Sequence, residues 1–365
     1  MMDDIRYIRR ALALARRGAG WVNPNPMVGA VVVKDNRIIG EGYHEYFGGQ
    51  HSEINSILKA SESVEGSTLY STLEPCNHQG KTPPCTQRIL ESKITKVVIG
   101  LMDPNPSVEG HGTEFLKSHG IEVTSGVLAD EISVLNEIFL KFVTQRKPFV
   151  LLKSAMTLYG KIATVANASR WITGSSSREK VHRLRQELSS VLIGVNSVIV
   201  DDPMLNVRLD GKKWRNPFKI IADTHARIPL TAKVLSHEPQ LTILATSSLA
   251  PEEKIKRLKR LGVQVLNCPL MDDRIDLNWL MGALAAMDID SVMIEGGSTL
   301  AFSALKSGIV DKIINFIAPK LLGGKAAPSP LGGEGIASMN EAVRVRNWKM
   351  QKLGEDFVVE GYVGG

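Results

Sequence analysis

Two of the three cysteines in the chain, Cys76 and Cys85, bracket one short stretch, EPCNHQGKTPPC, at residues 74–85. Upstream stands His51-Ser52-Glu53. One imidazole and two thiolates make three N/S donors. Three protein donors with a fourth position open is how a catalytic zinc is held, whereas structural zinc sites are closed by four. Two thiolates neutralise the dication and weaken it as a Lewis acid, so a base beside the metal becomes useful. Glu53, two residues past His51 and near an expected helix start, can face the same pocket without ligating. The bland alternatives are a loop cysteine pair with no metal, or a structural zinc closed by His78. Neither explains why a Pro-Cys step and an H-x-E at a helix start occur together. Cys268 stands alone and reads as a core residue.

H-x-E followed by P-C-x-x-C is the signature of zinc deaminases, in which the Glu carries protons and does not ligate. This chain keeps H-x-E and Pro75-Cys76 but separates its cysteines by eight residues instead of two. The thiolates then hold the metal, and the loop between them is free to meet substrate. His78 and Lys81 in that loop suit a charged group.

The elements that must position these residues are those of a globular protein. The chain has 365 residues, 43% hydrophobic and 22% charged, which suggests two domains. No run of about 18 apolar residues appears, so no membrane span is expected. The N-terminus lacks an apolar signal region, and three cysteines are too few for a disulfide scaffold; both point to the cytoplasm. The net charge is +6, but the basic residues are scattered, and KIKRLKR (254–260) alternates with apolar positions as a helix face does. Aromatics, at 5%, are few for base stacking. A phosphorylated small molecule needs only a few local arginines and fits this balance as well as nucleic acid does.

Ile5, Ile8, Leu12 and Ala15 fall on one face of a helix over 3–17. VGAVVV (28–33) and RIIGEG (37–42) flank a hairpin turn, STLYSTL (67–73) and KVVIGL (96–101) are strands, and single helices are expected from Ser52 and over 129–142. KFVTQRKP (141–148) reads as a boundary between domains 1–146 and 147–365. Beyond it FVLLKSAM (149–156), VLIGVNSVIV (191–200), FKIIAD (218–223), LTILATS (241–247) and SVMIEGG (291–297) repeat a strand–helix rhythm, and two late strands, within 311–324 and 356–363, make the second sheet mixed. Both halves are α/β layered.

With these residues in view, the chain resembles a known family. N-P-N-P-M-V-G-A (23–30), H-S-E and L-E-P-C-N-H-Q-G-K-T-P-P-C resemble the deaminase half of the bacterial bifunctional riboflavin-biosynthesis deaminase/reductases. K-S-A-M-T-L-Y-G-K-I-A (153–163), R-W-I-T-G (170–174), V-H-R-L-R (181–185), D-D-P-M-L-N-V-R (201–208) and E-G-G (295–297) resemble the reductase half. The resemblance spans nearly the whole chain. It departs at Ser52, where the family commonly has Ala, and at Tyr159, where it usually has Asp.

The resemblance implies a cytidine-deaminase-like α/β/α domain followed by a dihydrofolate-reductase-like α/β domain. It implies zinc-dependent hydrolytic deamination of 2,5-diamino-6-ribosylamino-4(3H)-pyrimidinone 5′-phosphate, then NADPH reduction of the ribosyl group to ribityl, giving 5-amino-6-ribitylamino-uracil 5′-phosphate. One Zn²⁺ is held by His51, Cys76 and Cys85, with Glu53 as proton shuttle and Asn23, His78 and Lys81 on substrate. In the second half, Lys153 and Asp201 are the catalytic pair. Ser169, Arg185, Leu205, Arg208 and Glu295 lie near substrate. Ala155, Trp171, Thr173, Ser197, Asp201, Thr224, Gly296, Gly297 and Ser298 lie near cofactor. A homo-oligomer without nucleic-acid or membrane partners is expected. The rival readings are a tRNA-adenosine-type deaminase with an unrelated second domain, a zinc-stapled binding module, and a deaminase whose reductase half is degenerate.

Overall fold

A computed structural model of the chain describes residues 2–78, 83–105, 111–211 and 214–364. It divides into two units, Met1–Arg146 and Lys147–Gly365. The first begins with helix α1 (Met2–Ala15), whose first turn carries Asp3 and Asp4, where acidic groups suit the helix dipole. Strand β1 (Gly29–Lys34) turns through Asp35 and Asn36, with φ of 49° and 58°, into β2 (Arg37–Tyr43). Two residues at positive φ are what a tight hairpin needs. The unit continues through α2 (Ser52–Leu58), β3 (Thr68–Leu73), α3 (Cys85–Glu91), β4 (Lys96–Leu101), α4 (His111–Ser118), β5 (Glu122–Ser125), α5 (Ala129–Leu135) and α6 (Glu137–Gln145).

The five strands lie in the order β2-β1-β3-β4-β5. Strand β1 runs antiparallel to both neighbours, and β3, β4 and β5 run parallel. Side chains alternate across a strand, so β1 feeds two cores. Ala30 and Val32 pack with Ile57, Ile89 and Leu116 on the side of α2, α3 and α4. Val31 and Val33 pack with Ile8, Leu12 and Ile132 on the side of α1 and α5. Each fully buried aliphatic side chain contributes roughly 1.5–3 kcal/mol, and the result is an α/β/α sandwich. Helix α2 lies directly on β2. A Cβ at Gly42 would stand 2.4 Å from the Ser56 nitrogen and 2.5 Å from the Ser52 oxygen, so the residue must be glycine for α2 to approach.

The helix expected over 129–142 is two helices, broken at buried Asn136. Its backbone leaves helical geometry (φ −103°, ψ 21°). Its side chain accepts from the Met27 N–H at 2.8 Å and donates to the Met27 carbonyl at 3.1 Å. A side-chain amide that bonds backbone elsewhere is a poor helix-interior residue. Here it ties the loop before β1 to the end of the unit.

The second unit comprises β6 (Phe149–Thr157), α7 (Ser175–Glu187), β7 (Ser190–Gly194), α8 (Val195–Asp201), β8 (Phe218–Ala222), α9 (Lys233–Ser236), β9 (Thr242–Thr246), α10 (Glu252–Arg260), β10 (Gln264–Asn267), the short pair β11 (Leu270–Met271) and β12 (Arg274–Ile275), α11 (Leu277–Ala285), β13 (Ser291–Glu295), α12 (Ser298–Lys306), β14 (Lys312–Ala318), β15 (Val345–Leu353) and β16 (Asp356–Val363). Nine strands form one sheet, β10-β9-β8-β7-β13-β6-β14-β16-β15. From β10 to β14 neighbours are parallel; β16 is antiparallel to β14 and β15. The sheet is mixed, as its late strands led one to expect. Strand β15 was not expected: its residues are nearly all exposed, and the alternation at Trp348-Lys349-Met350-Gln351 is preceded by the polar pair Arg346-Asn347, where the register with β16 shifts. Among the described residues, no helix is long and apolar enough to cross a membrane.

Candidate active sites

In the first unit, three elements bring the metal donors together. His51 is the N-cap residue of α2, with extended backbone (φ −72°, ψ 160°). Cys76 follows the end of β3, and Cys85 is the first residue of α3. The His51 Nδ1 lies 3.2 Å from Cys85 Sγ and 3.5 Å from Cys76 Sγ, and the three donor atoms lie within 4.8 Å of one another. Zn–S and Zn–N bonds of about 2.3 and 2.0 Å in a tetrahedron give edges of about 3.5–3.8 Å, so this donor set fits a zinc ion. The Cys85 N–H donates to Cys76 Sγ at 3.4 Å. Hydrogen bonding between the sulfurs lowers the Cys76 thiol pKa and raises that of Cys85, while the hydrogen bond to Cys76 raises His51.

Glu53 sits in the first turn of α2, 3% exposed. Its Oε2 accepts from Ser52 Oγ at 3.0 Å and its Oε1 from Ser71 Oγ of β3 at 3.4 Å. Cys85 Sγ is 3.9 Å away. Burial pushes the Glu53 carboxyl above its ordinary range, and Cys76 adds to this, with His51 opposing. A carboxyl whose neutral form is favoured by burial, beside the metal donors, is placed to accept and give a proton. The site opens into a cavity of ≈ 300 Å³ lined by Glu53, His51 and Cys76, by His44 and Asn25, by His78 and Asp103, and by Phe139 of α6.

Asn25 lines this cavity and Asn23 does not; Lys81 falls outside the described residues. His44 was missed by sequence reasoning. It is 3% exposed, and its ring stands edge-on to His51 with centroids 5.6 Å apart. Its Nδ1 lies 3.0 Å from the Gln50 carbonyl, so Nδ1 carries the proton, and Nε2 accepts from Asn25 Nδ2 at 3.2 Å. Burial lowers the pKa of this imidazole and so favours its neutral form. Its one sequence signal was a histidine just after a strand and shortly before His51. Asp103, in the loop after β4, was also missed; burial and neighbouring Glu74 raise its pKa to about 6.

In the second unit, β6 and β13 are parallel neighbours, and Lys153 pairs in register with Glu295. Helix α7 adds Arg185, which donates from Nε and Nη2 to the two Glu295 oxygens, both at 2.7 Å, and from Nη1 to the Asn206 carbonyl at 3.1 Å. Burial alone would raise Glu295, but Arg185 and then Lys153 outweigh it and bring its pKa to about 2. Burial lowers the Lys153 pKa against the pull of Glu295. That is the environment in which an amine becomes a proton donor and acceptor. Ser169 Oγ donates to Asp201 Oδ1 at 3.1 Å.

Three adjoining clefts run along the strand ends, where ligands of open α/β sheets bind. The central one, ≈ 710 Å³, has Lys153, Ala155, Ser169, Arg185, Ser197, Asp201, Leu205, Glu295, Gly296, Gly297 and Ser298 in its walls. One neighbour, ≈ 680 Å³, shares Lys153, Arg185 and Glu295 and adds Trp171, Thr173, His182 and Arg208. The other, ≈ 590 Å³, shares Ser197, Gly297 and Ser298 and adds Thr224. Every reductase-side residue expected from the sequence thus borders one of the three. Gly296 and Gly297 adopt φ of 83° and 84°, which a side chain would strain. They hand β13 to α12 with backbone N–H groups at a helix start, a donor set that fits a dinucleotide phosphate. His182 was not anticipated. Its Nδ1 accepts from the Arg208 N–H at 3.2 Å, and burial, then Arg185 and Arg208, lower its pKa to about 4. Tyr159 is 74% exposed and borders none of the three clefts.

Residues 1–101 match the cytidine and deoxycytidylate deaminase zinc-binding region, and residues 148–359 match the RibD C-terminal domain. The riboflavin biosynthesis protein RibD of Actinobacillus pleuropneumoniae is 46% identical over 98% of this chain and 95% of its own length. Among solved structures, RibD of Acinetobacter baumannii superposes with a TM-score of 0.91 at 35% identity, covering 100% of this chain and 99% of that one. A diaminohydroxyphosphoribosylaminopyrimidine deaminase/5-amino-6-(5-phosphoribosylamino)uracil reductase of Thermotoga maritima superposes at 0.86 with 39% identity, covering 100% and 99%.

Proposed function

The chain belongs to the family of riboflavin biosynthesis proteins RibD, bifunctional enzymes that join a zinc-dependent deaminase to an NADPH-dependent reductase, and from that premise we propose how its own residues divide the work. Residues 1–146 deaminate 2,5-diamino-6-ribosylamino-4(3H)-pyrimidinone 5′-phosphate, and residues 147–365 reduce its ribosyl group to ribityl. The observation that carries the reading is the meeting of His51, Cys76 and Cys85 beside the buried Glu53 carboxyl at one cavity.

His51, Cys76 and Cys85 hold the zinc, which when bound supplies Lewis-acid activation of water. Glu53 takes the proton that water releases as its oxygen bonds to the ring carbon bearing the 2-amino group. It passes that proton to a ring nitrogen, then takes the proton of the hydroxyl now on that carbon and delivers it to the amine as the C–N bond breaks, the carbonyl forms and ammonia leaves. His44 and Asn25 border the ring's place, and His78, which lines the same cavity, serves the ribose or phosphate; Lys81, outside the described residues, is assigned to the same group on the resemblance alone.

In the second unit NADPH supplies hydride to C1′ of the opened sugar. Lys153 donates toward the sugar oxygen, and Asp201, held by Ser169, orients the ribose. Arg185 and Arg208 border the substrate phosphate, for which guanidinium groups give paired hydrogen bonds. The enzyme works in the cytoplasm as a homo-oligomer on this small molecule, without nucleic acid; three free cysteines, two of them metal donors, suit a reducing compartment.

The test is one assay on purified, zinc-loaded chain with the diaminopyrimidinone ribotide. Ammonia is followed first without NADPH, then NADPH oxidation after it is added. Ammonia followed by NADPH loss is expected. No ammonia would overturn the reading in favour of a nucleic-acid deaminase, and ammonia without NADPH loss would leave the second unit a degenerate reductase.

A further inference from the structure

Glu74, directly before the Pro75-Cys76 step, takes no part in the deamination steps above, yet it is 3% exposed and borders the same cavity. Its backbone N–H donates to the Leu101 carbonyl at 2.9 Å, which fastens the end of β3 to the end of β4. Its side chain reaches across the connection from β4 to α4. Oε1 accepts the Thr113 N–H at 2.9 Å, and Oε2 accepts the Asp103 N–H at 3.3 Å. Thr113 lies in the first turn of α4, where a carboxylate suits both the unpaired N–H groups and the helix dipole. Helix capping accounts for that bond. It does not account for the second, which goes to the other side of the connection.

The Asp103 side of this clasp leads to the cavity. Asp103 lines it, and Asp103 Oδ1 accepts the Asn105 N–H at 2.9 Å, so Asn105, also in the wall, follows Asp103. On the other side, α4 begins hard against the metal-bearing segment: a Cβ at Gly112 would stand 2.0 Å from the Pro75 carbonyl oxygen. Glu74, Pro75 and Cys76 are consecutive, and the proline between them fixes its own φ. One short, stiff run therefore carries a metal donor at one end. At the other, a single carboxylate holds the wall residues Asp103 and Asn105.

A fixed metal can act on a ring only if the ring is held at a fixed distance from it. The diaminopyrimidinone carries amino and ring N–H donors, which a carboxylate in the cavity wall accepts. Resting on the reading of this unit as the deaminase, we propose that Glu74 is a positioning residue for that reaction. It sets Asp103 and Asn105 at their distance from the zinc-holding Cys76, and so decides how well the ring is bound. Both of its oxygens are needed as acceptors. In a glutamine one of them becomes an NH₂ donor that meets an N–H.

The test is steady-state ammonia release by the full chain and by Glu74→Gln, with zinc content measured by elemental analysis. NADPH oxidation on the deaminated ribotide serves as a reference for the other unit. In Glu74→Gln the zinc stays stoichiometric and the reductase turnover is unchanged. Hydrogen bonds to a charged group are strong enough that losing one raises KM for deamination about tenfold. The accompanying fall in kcat is less than about threefold, which marks lost binding and not lost chemistry. Asp103→Ala raises KM likewise. Adding Glu74→Gln to it raises KM no further than about twofold, because Glu74 acts through Asp103. An unchanged KM in Glu74→Gln would overturn the proposal, and so would single effects that multiply in the double variant. Loss of zinc from Glu74→Gln would overturn it as well, by making the residue a support of the metal site. A parent chain that releases no ammonia would sink the deaminase reading itself, and this assignment with it.

Discussion

Glu53 is the residue on which the first half-reaction turns. Glu53→Gln keeps the shape of the site and all three metal donors. It is expected to retain stoichiometric zinc by elemental analysis while ammonia release falls by about 10²–10⁴-fold, the usual worth of a positioned acid–base group; near-normal turnover in a zinc-replete sample would refute its role. In the second unit the decisive pair is Arg185 and Glu295. Glu295 titrates near 2 in the fold, against an ordinary value of 4.5. Its folded pKa is depressed, so its contribution to stability is present in full above about pH 4.5 and is lost as pH falls from there toward 2. Arg185→Ala takes from a buried carboxylate its hydrogen-bonded partner and leaves only Lys153 as a nearby cation. It should cost about 3–5 kcal/mol in urea unfolding at pH 7 and flatten the acid limb of the stability curve between pH 5 and 2. At this scale the metal donors and Glu53 were legible because few other roles need those types at that spacing. His44 was not, because its part depends on a hydrogen bond to Asn25 and an approach to His51 that only the folded loop supplies.

Elements decide how firmly these side chains are held. Helix α7 carries His182 and Arg185, and its start is secured from far along the chain. Asp356, the first residue of β16, accepts from the Gly174 N–H at 2.8 Å and from Ser177 Oγ at 2.5 Å. It acts as an N-cap supplied by another element, so Asp356→Ala should cost about 1–2 kcal/mol. It should also raise KM for the reductase substrate more than it lowers kcat, and Asp356→Asn should restore most of both. Steady-state kinetics and urea midpoints measure the two effects. The hairpin at Asp35-Asn36 and the strand over 96–101 were readable because local pattern and turn chemistry agree with the fold there. The break at Asn136 was not: the amphipathic pattern runs across it, and its cause is a bond to Met27, 109 residues away. Strand β15 was hidden for another reason: its alternation of Trp348 and Met350 with polar residues is interrupted at Arg346-Asn347, where the register with β16 shifts.

For the molecule as a whole, each unit carries buried clusters of its own among the described residues, one around Ala30, Ile57 and Leu116 and another around Val150, Leu192 and Ile294. A ligand that binds one folded unit stabilises that unit by mass action. Chelating zinc is therefore expected to lower one calorimetric transition and leave a second in place, with NADPH affinity unchanged; a single transition moving as one would contradict this. The two-part architecture was legible in the repeated strand–helix rhythm and the basic, proline-ended stretch near 147. The Asn136 clasp on Met27 also sets a clock on synthesis. Ribosomes add about 5–20 residues per second, so the loop before β1 is made roughly 5–20 s before the residue that fastens it. Phe139, which completes the cavity wall, comes later still. The three zinc donors are in the chain well before then, so the newborn deaminase can hold its metal before it has a closed place for its substrate.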